Sequence, residues 1–248
     1  MSPLRTAIPI VTLVLVWQLI AVLGAFDPQL FPRPVTVARA FLDLLVRGDL
    51  LTDIIASLQR VLVGFLIALA IGTPLGLFLG TNAKASGLFT PILELLRPIP
   101  PIAWIPLAIL WFGLGNKPAY FLVFLGAFFP IFTNALFGAT SLEERYRRAA
   151  YSLGATKRQF VVNVLIPASL PHVFAGLRIG LGVGWIVVIT AELVGAQSGL
   201  GYMIQFNRLL LETPKVIAGM ITIGLIGFLL NRLMIQLENK LIPWKRME

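Results

Sequence analysis

Cysteine is absent from all 248 residues. That excludes disulfides and thiolate metal sites and leaves the redox compartment open. Histidine occurs once, and charged residues make up 12% of the chain, against about 25% in soluble globular proteins. No cluster of His, Asp or Glu has metal-ligand spacing, and no Ser-His-Asp set is visible. No Gly-Lys dipeptide occurs, so the chain lacks a phosphate-cradling loop. Composition therefore points away from an enzyme and toward a chain that binds no cofactor of its own. The period-two alternation of a β-barrel is missing. Linkers, low-complexity tracts and internal repeats are also missing, so residues 1–248 read as one domain.

What the chain has instead is apolar surface: 58% of it is hydrophobic. Crossing the hydrocarbon core takes about 20 mostly apolar helical residues. Runs of that kind predict about six membrane-spanning helices, roughly 7–26, 55–80, 88–112, 118–140, 172–194 and 214–237. The first run is longer than a signal core of about 7–15 apolar residues, so it reads as a retained span. The fold class expected is an all-α membrane protein. Between the spans, 27–45 predicts a short interfacial helix, and 198–214 predicts an amphipathic helix at the outer surface.

The net charge is +9. With the N-terminus in the cytoplasm, the inner segments hold Arg5, Lys84, Arg145, Arg147, Arg148, Lys157, Arg158, Lys240, Lys245 and Arg246. The outer segments hold Arg33, Arg39, Arg47, Lys117, Arg208 and Lys215. This bias favours cytoplasmic N- and C-termini. It explains the basic balance without nucleic acid.

Half of the inner charges fall in 143–170, which is punctuated like a small soluble hairpin. Glu143 and Glu144 suit the positive end of a helix dipole. Gly154 is placed to cap that helix. Thr156, with Gln159 three residues later, fits a capping box at the start of a second helix. Pro167 and Pro171 are expected to stop that helix ahead of the fifth span. On its own this stretch is equally a solvated loop or a surface that a partner grips.

The stretch resembles the EAA loop of ABC importer permeases. Ala149, Ala150 and Gly154 match that pattern, Val164, Ile166 and Pro167 occupy its later positions, and Arg148 stands where an acidic residue is expected. The segments "LRPIPPIAWIPLAILWFGLG" (96–115), "AELVGAQSGLGYMI" (191–204) and "LENKLIPWKR" resemble the branch that handles nitrate, taurine, alkanesulfonates and bicarbonate. The resemblance implies a type I importer permease fold with a cytoplasmic coupling helix, in a bacterial inner membrane. Arg147, Arg148, Ala149, Ala150, Ser152, Leu153, Gly154, Ala155 and Thr156 would dock on an ATPase. It further implies two ATPase subunits carrying ATP and Mg, a second permease subunit, here a second copy, and an extracytoplasmic solute-binding protein. The cargo implied is a small oxyanion.

The most unusual membrane stretch is "ELLRPIPPIAWIP" (94–106), where four prolines disfavour a regular helix. Broken backbone at membrane depth is tolerated where it is packed in protein or lines a watery cavity. Arg97, Pro100, Pro101 and Trp104 are therefore expected beside a translocation path. Glu192, an acid within the fifth span, joins them as a functional candidate. Glu94 and Arg97, three apart, read as a structural pair, with contact to an anionic substrate as the other use of Arg97. His172 reads as a capping or interfacial residue at a helix start. Gly180, Gly182 and Gly184 read as close packing or flexibility. Competing readings are a stand-alone secondary transporter, an importer of another small solute such as a thiamine-precursor pyrimidine, a membrane enzyme and a structural scaffold.

Overall fold

Small residues recur every four positions at Gly64, Ala68, Gly72, Gly76 and Gly80. On a helix this spacing makes one smooth stripe along which another backbone can approach closely. A computed structural model describes residues 3–24 and 27–244, with side chains from residue 8 onward, residue 10 excepted. In it the stripe belongs to α3 (Asp49–Thr81) and lies against α6 (Asn116–Thr140). A Cβ at Gly76 would sit 2.6 Å from the Phe132 carbonyl oxygen, and one at Gly72 would sit 3.2 Å from Ile131 Cγ2. Gly64 meets Val123 and Gly80 meets Ala139, so the two helices run parallel.

Parallel packing of α3 and α6 requires the chain between them to cross back. That return is broken into α4 (Ala83–Leu96), a 3-10 turn at Pro101–Trp104 and α5 (Ile105–Phe112). The two halves are bent by 82°. The expected third span is thus a bent pair, with the prolines of 98–101 at the bend.

After α6 come α7 (Glu144–Ser152), α8 (Lys157–Phe160), a π turn at Val161–Leu165 and α9 (Ile166–Gly195). From Lys157 to Gly195 the helix is continuous over 39 residues. This corrects the expectation that Pro167 and Pro171 stop a helix. Pro167 cannot donate a hydrogen bond to the preceding turn, and the widened turn lies immediately ahead of it. His172 is accordingly inside a helix, not at its start. Its ring stands edge-on to Phe137 at 5.0 Å. α9 packs antiparallel on α6: Gly176 meets Pro130 and Asn134, Gly180 meets Ala127 and Ile131, and Gly184 meets Val123. Gly182 touches nothing within 4 Å.

α10 (Leu200–Leu209) and α11 (Thr213–Leu241) complete the chain, and Trp185 Nε1 donates to the Ile223 carbonyl at 3.1 Å, joining α9 to α11. α1 (Pro3–Val22) and α2 (Pro34–Val46) precede the core. Trp17 Nε1 donates to the Pro32 carbonyl at 3.1 Å, which anchors α1 to the entry of α2.

Among the described residues, four helices, and the bent pair as a fifth, are long and apolar enough to cross a membrane. Over the expected first span, 7–26, the helix is α1, Pro3–Val22, and its apolar part among the described residues is Val11–Val22. Residues 25–26 of that span, the Arg5 side chain, Lys245 and Arg246 lie outside the described residues. Leu62, Leu66 and Ile71 on α3 and Leu225, Phe228 and Leu229 on α11 are exposed. Such faces have no water-soluble rationale and match lipid.

Candidate functional site

Three sites stand out: a capped lever at the C-terminal end of α6, a buried ion pair at the opposite end, and a groove at mid-span.

The lever begins at α7, which has no buried residue. Tyr146, Ala149 and Leu153 share its outward face, and Leu153 is 88% exposed. Arg147 and Ala150 are half-buried, while Arg148, Ser152, Gly154 and Thr156 are exposed. Gly154 takes φ +81°. Its N–H donates to the Tyr151 carbonyl at 3.0 Å, and the Ala155 N–H donates to Ala150 at 3.1 Å. This pair of bonds closes the helix end and favours glycine at the left-handed position. Thr156 then caps α8: Gln159 N donates to Thr156 Oγ1 at 3.3 Å, and Thr156 N donates to Gln159 Oε1 at 2.8 Å. Both caps follow the sequence prediction. Arg148 lies 3.6 Å from Glu144, so the position expected to be acidic makes a local ion pair of opposite sense. Glu143 grips Arg145 through two contacts of 2.7 and 2.8 Å and raises its pKa.

The lever is fixed to the membrane part through Phe160, which is 3% exposed and packs with Ala139 and Leu165. Tyr151 packs on the Phe160 ring at 5.5 Å, and the Arg147 guanidinium lies over it at 5.8 Å. Leu77 of α3 and Ala150 of α7 pack on the same cluster. Packing thereby joins α7 to the ends of α3 and α6 and to the π turn that leads into α9.

The opposite end is held by charge. Glu192 on α9 and Arg60 on α3 form an ion pair of 2.6 Å, with side chains 0% and 4% exposed. The Glu192 carboxylate also accepts from Ser57 Oγ and from Gly201 N, each at 2.9 Å. Arg60 donates to Asn116 Oδ1 at 2.9 Å, to the Ser198 carbonyl at 2.7 Å and to Ser198 Oγ at 2.7 Å. Asp53 accepts from the Gly199 N–H at 2.7 Å. Gly199 has φ +105°, and a Cβ there would run into the Glu192 carboxyl and Arg60. Every member of "AELVGAQSGLG" that touches this site thus serves one buried network joining α3, α6, α9 and α10. Glu192, expected on the path, is instead enclosed here. Its partner Arg60 was not legible in the sequence: it directly precedes the uncharged run from Val61 and lies 132 positions from Glu192.

The groove lies between the bent pair and the middle of α6 and α9. It encloses about 290 Å³ and is lined by Arg97, Pro101, Phe129, Thr133, Asn134 and Val183, among others. Arg97 and Pro101 therefore share one wall of this groove. Pro100 is exposed just ahead of the 3-10 turn. Trp104 is half-buried and packs with Trp111 and Phe121, each at 6.4 Å, outside this groove. Glu94 and Arg97 do not form the expected pair: both are exposed, and no ion pair joins them. Thr133 and Asn134 were not singled out from the sequence, because neutral polar residues within an apolar run carry no distinguishing signal there.

Comparison with known proteins locates this architecture. Residues 72–243 match the family model of binding-protein-dependent transport system inner membrane components. The taurine transport system permease protein TauC of Escherichia coli is 38% identical over 94% of this chain and 86% of its own length. The nitrate import permease protein NrtB of Synechocystis is 33% identical over 97% of this chain and 90% of its own. Among solved structures, a chain of the MetNI methionine ABC transporter in an inward-facing conformation superposes with a TM-score of 0.68. It is 23% identical and covers 79% of this chain and 95% of its own, a likeness that bears on the fold alone. The matched region runs from the last third of α3 through the lever to the end of α11 and takes in Glu192 but not Arg60 or Ser57, and the chain belongs to the family of binding-protein-dependent transport system inner membrane components, as an integral membrane permease subunit.

Proposed function

We propose that this permease imports a small oxyanion by alternating access, driven by a separate ATPase that grips the 143–170 lever. The observation that carries this reading is the lever itself. It is capped at both of its helices, exposed along Tyr146, Ala149 and Leu153, and tied through Phe160 to the ends of α3, α6 and α9. A rigid element with an unpartnered apolar face transmits force, whereas a solvated loop dissipates it. The names of the relatives, one for a sulfonate and one for nitrate, support an oxyanion as cargo.

In this reading ATP and Mg reside on two ATPase subunits. A second copy of this chain completes the path, and a solute-binding protein delivers cargo from the far side. The lever and both termini face the cytoplasm of a bacterial cell. The buried Arg60–Glu192 network then stands at the extracytoplasmic end and keeps α3, α9 and α10 together while the lever end moves.

The test is reconstitution with a candidate ATPase and a candidate solute binder. Uptake of a labelled sulfonate or nitrate that needs ATP on the lever side supports the proposal. Uptake by the permease alone, driven by an ion gradient, overturns it. Because the chain has no cysteine, Ser152→Cys gives a single reporter of sidedness. An impermeant maleimide reaching it only from outside intact cells overturns the orientation.

A further inference from the structure

Among the described residues, no acidic group pairs with Arg97. Arg97 stands at the break between α4 and α5 and faces Leu125–Asn134 of α6 and Ile179–Val183 of α9. Those are the middle portions of two spanning helices. Glu94 is too distant for an ion pair and does not line the groove, and no carboxylate does so among the described residues. The Thr133 hydroxyl makes no hydrogen bond in the described structure. Asn134 Nδ2 donates to the Pro130 carbonyl at 2.8 Å, which uses one of its two N–H groups and leaves the other.

An unpaired guanidinium at this depth is costly in lipid and is retained where it meets water or a counter-charge. Transport folds place such sites near the membrane midplane, beside discontinuous helices. The remaining wall is apolar: Ile99, Leu125, Phe129, Ile179 and Val183. We infer that Arg97, Thr133 and Asn134 form a transient binding site, at mid-membrane, for the head of a small monovalent oxyanion whose short apolar body lies against Phe129 and Val183. The guanidinium supplies a two-pronged donor face for two oxygens. Thr133 supplies a hydroxyl donor, and no acidic group competes. The inference rests on the reading of this chain as an oxyanion permease and gives that reading its contact residues.

The absence of cysteine permits a test that needs neither uptake nor ATPase. Thr133→Cys puts one thiol in the groove of the full chain in lipid nanodiscs. Its labelling rates are compared for sulfonatoethyl methanethiosulfonate, itself an ethanesulfonate, and for the trimethylammonium analogue. Each rate is normalised to a free thiol in solution. Beside an uncompensated cation, the anionic reagent is expected to react about tenfold faster than the cationic one. Adding Arg97→Gln is expected to abolish that preference, and Arg97→Lys to keep most of it. Leu125→Cys, on the same groove, repeats the measurement at a second position. Ser152→Cys on the lever is the control whose charge preference Arg97→Gln leaves unchanged.

Labelling at neither groove position, or a preference for the cationic reagent, or an anionic preference untouched by Arg97→Gln, each overturns the site. The outcome is separable from that of the proposed function. Capture of the ATPase with no anionic preference removes this site and leaves the importer reading standing. An anionic preference without ATPase capture does the reverse.

Discussion

Arg60 and Glu192, 132 positions apart, meet at 2.6 Å where neither is open to solvent. Two charges this deeply enclosed hold together only because each is also hydrogen-bonded: Ser57 and Gly201 on one side, Asn116 and Ser198 on the other. Removing one partner leaves the other charged and buried, which costs about 3–5 kcal/mol. Glu192→Gln and Arg60→Met are each expected to lower the unfolding midpoint in detergent by a corresponding amount. The double variant is expected to lose less than the sum, because no orphaned charge remains. Strict additivity of the two losses would show that the side chains act independently.

The α3–α6 seam yields a sharper contrast between glycines. A methyl group at Gly76 would lie 2.6 Å from the Phe132 carbonyl oxygen and 2.7 Å from Ala135 Cβ. Neither is a flexible side-chain end, so Gly76→Ala must push two spans apart, at about 1–3 kcal/mol. Gly182 on α9 has nothing within 4 Å, and Gly182→Ala should stabilise its helix by about 0.5–1 kcal/mol. Unfolding midpoints of the two alanine variants, read by tryptophan fluorescence, should therefore move in opposite directions.

Features written in neighbouring residues were legible, and features made by distant ones were not. Gly154 and the Thr156–Gln159 pair announce their caps because a capping bond reaches only a few positions along the chain. The prolines of 98–101 announce the break for the same reason. Pro167 and Pro171 misled because a proline removes one local bond, while the packing of Val173, Phe174 and Leu177 in the core holds the helix through that loss. Glu192 was visible as a charge out of place, yet its partner sits on another span and no short-range pattern links them. The groove was half legible: Arg97 and Pro101 came from the proline run, and Thr133 and Asn134 came only from the approach of α6.

The capping box makes a local prediction. Thr156→Ala removes the acceptor for the Gln159 amide at 3.3 Å, and Gln159→Ala removes the acceptor for the Thr156 amide at 2.8 Å. Either change costs about 0.5–2 kcal/mol at the start of α8. The site is exposed and the cost is confined to one turn. Hydrogen exchange should therefore speed up at amides 156–159, with protection of the α3 and α6 cores unchanged. Faster exchange across the whole chain would mean that the lever supports the membrane part rather than riding on it.

Gly154 separates the geometry of the lever from the stability of the chain. Its φ of +81° is a conformation that residues with a Cβ resist, yet no atom lies within 4 Å of where a Cβ would stand. Gly154→Val therefore meets backbone strain without a clash, of about 1–2 kcal/mol. The strain can be relieved by changing the angle between α7 and α8. Gly154→Asn, which tolerates the left-handed region, should keep that angle. The expected pattern is that both variants insert and keep the unfolding midpoint of the parent, while only the valine variant loses co-purifying ATPase, by about tenfold. Equal ATPase recovery with valine and asparagine would show that the angle of the lever does not matter to the grip. That result would remove the mechanical role assigned to it.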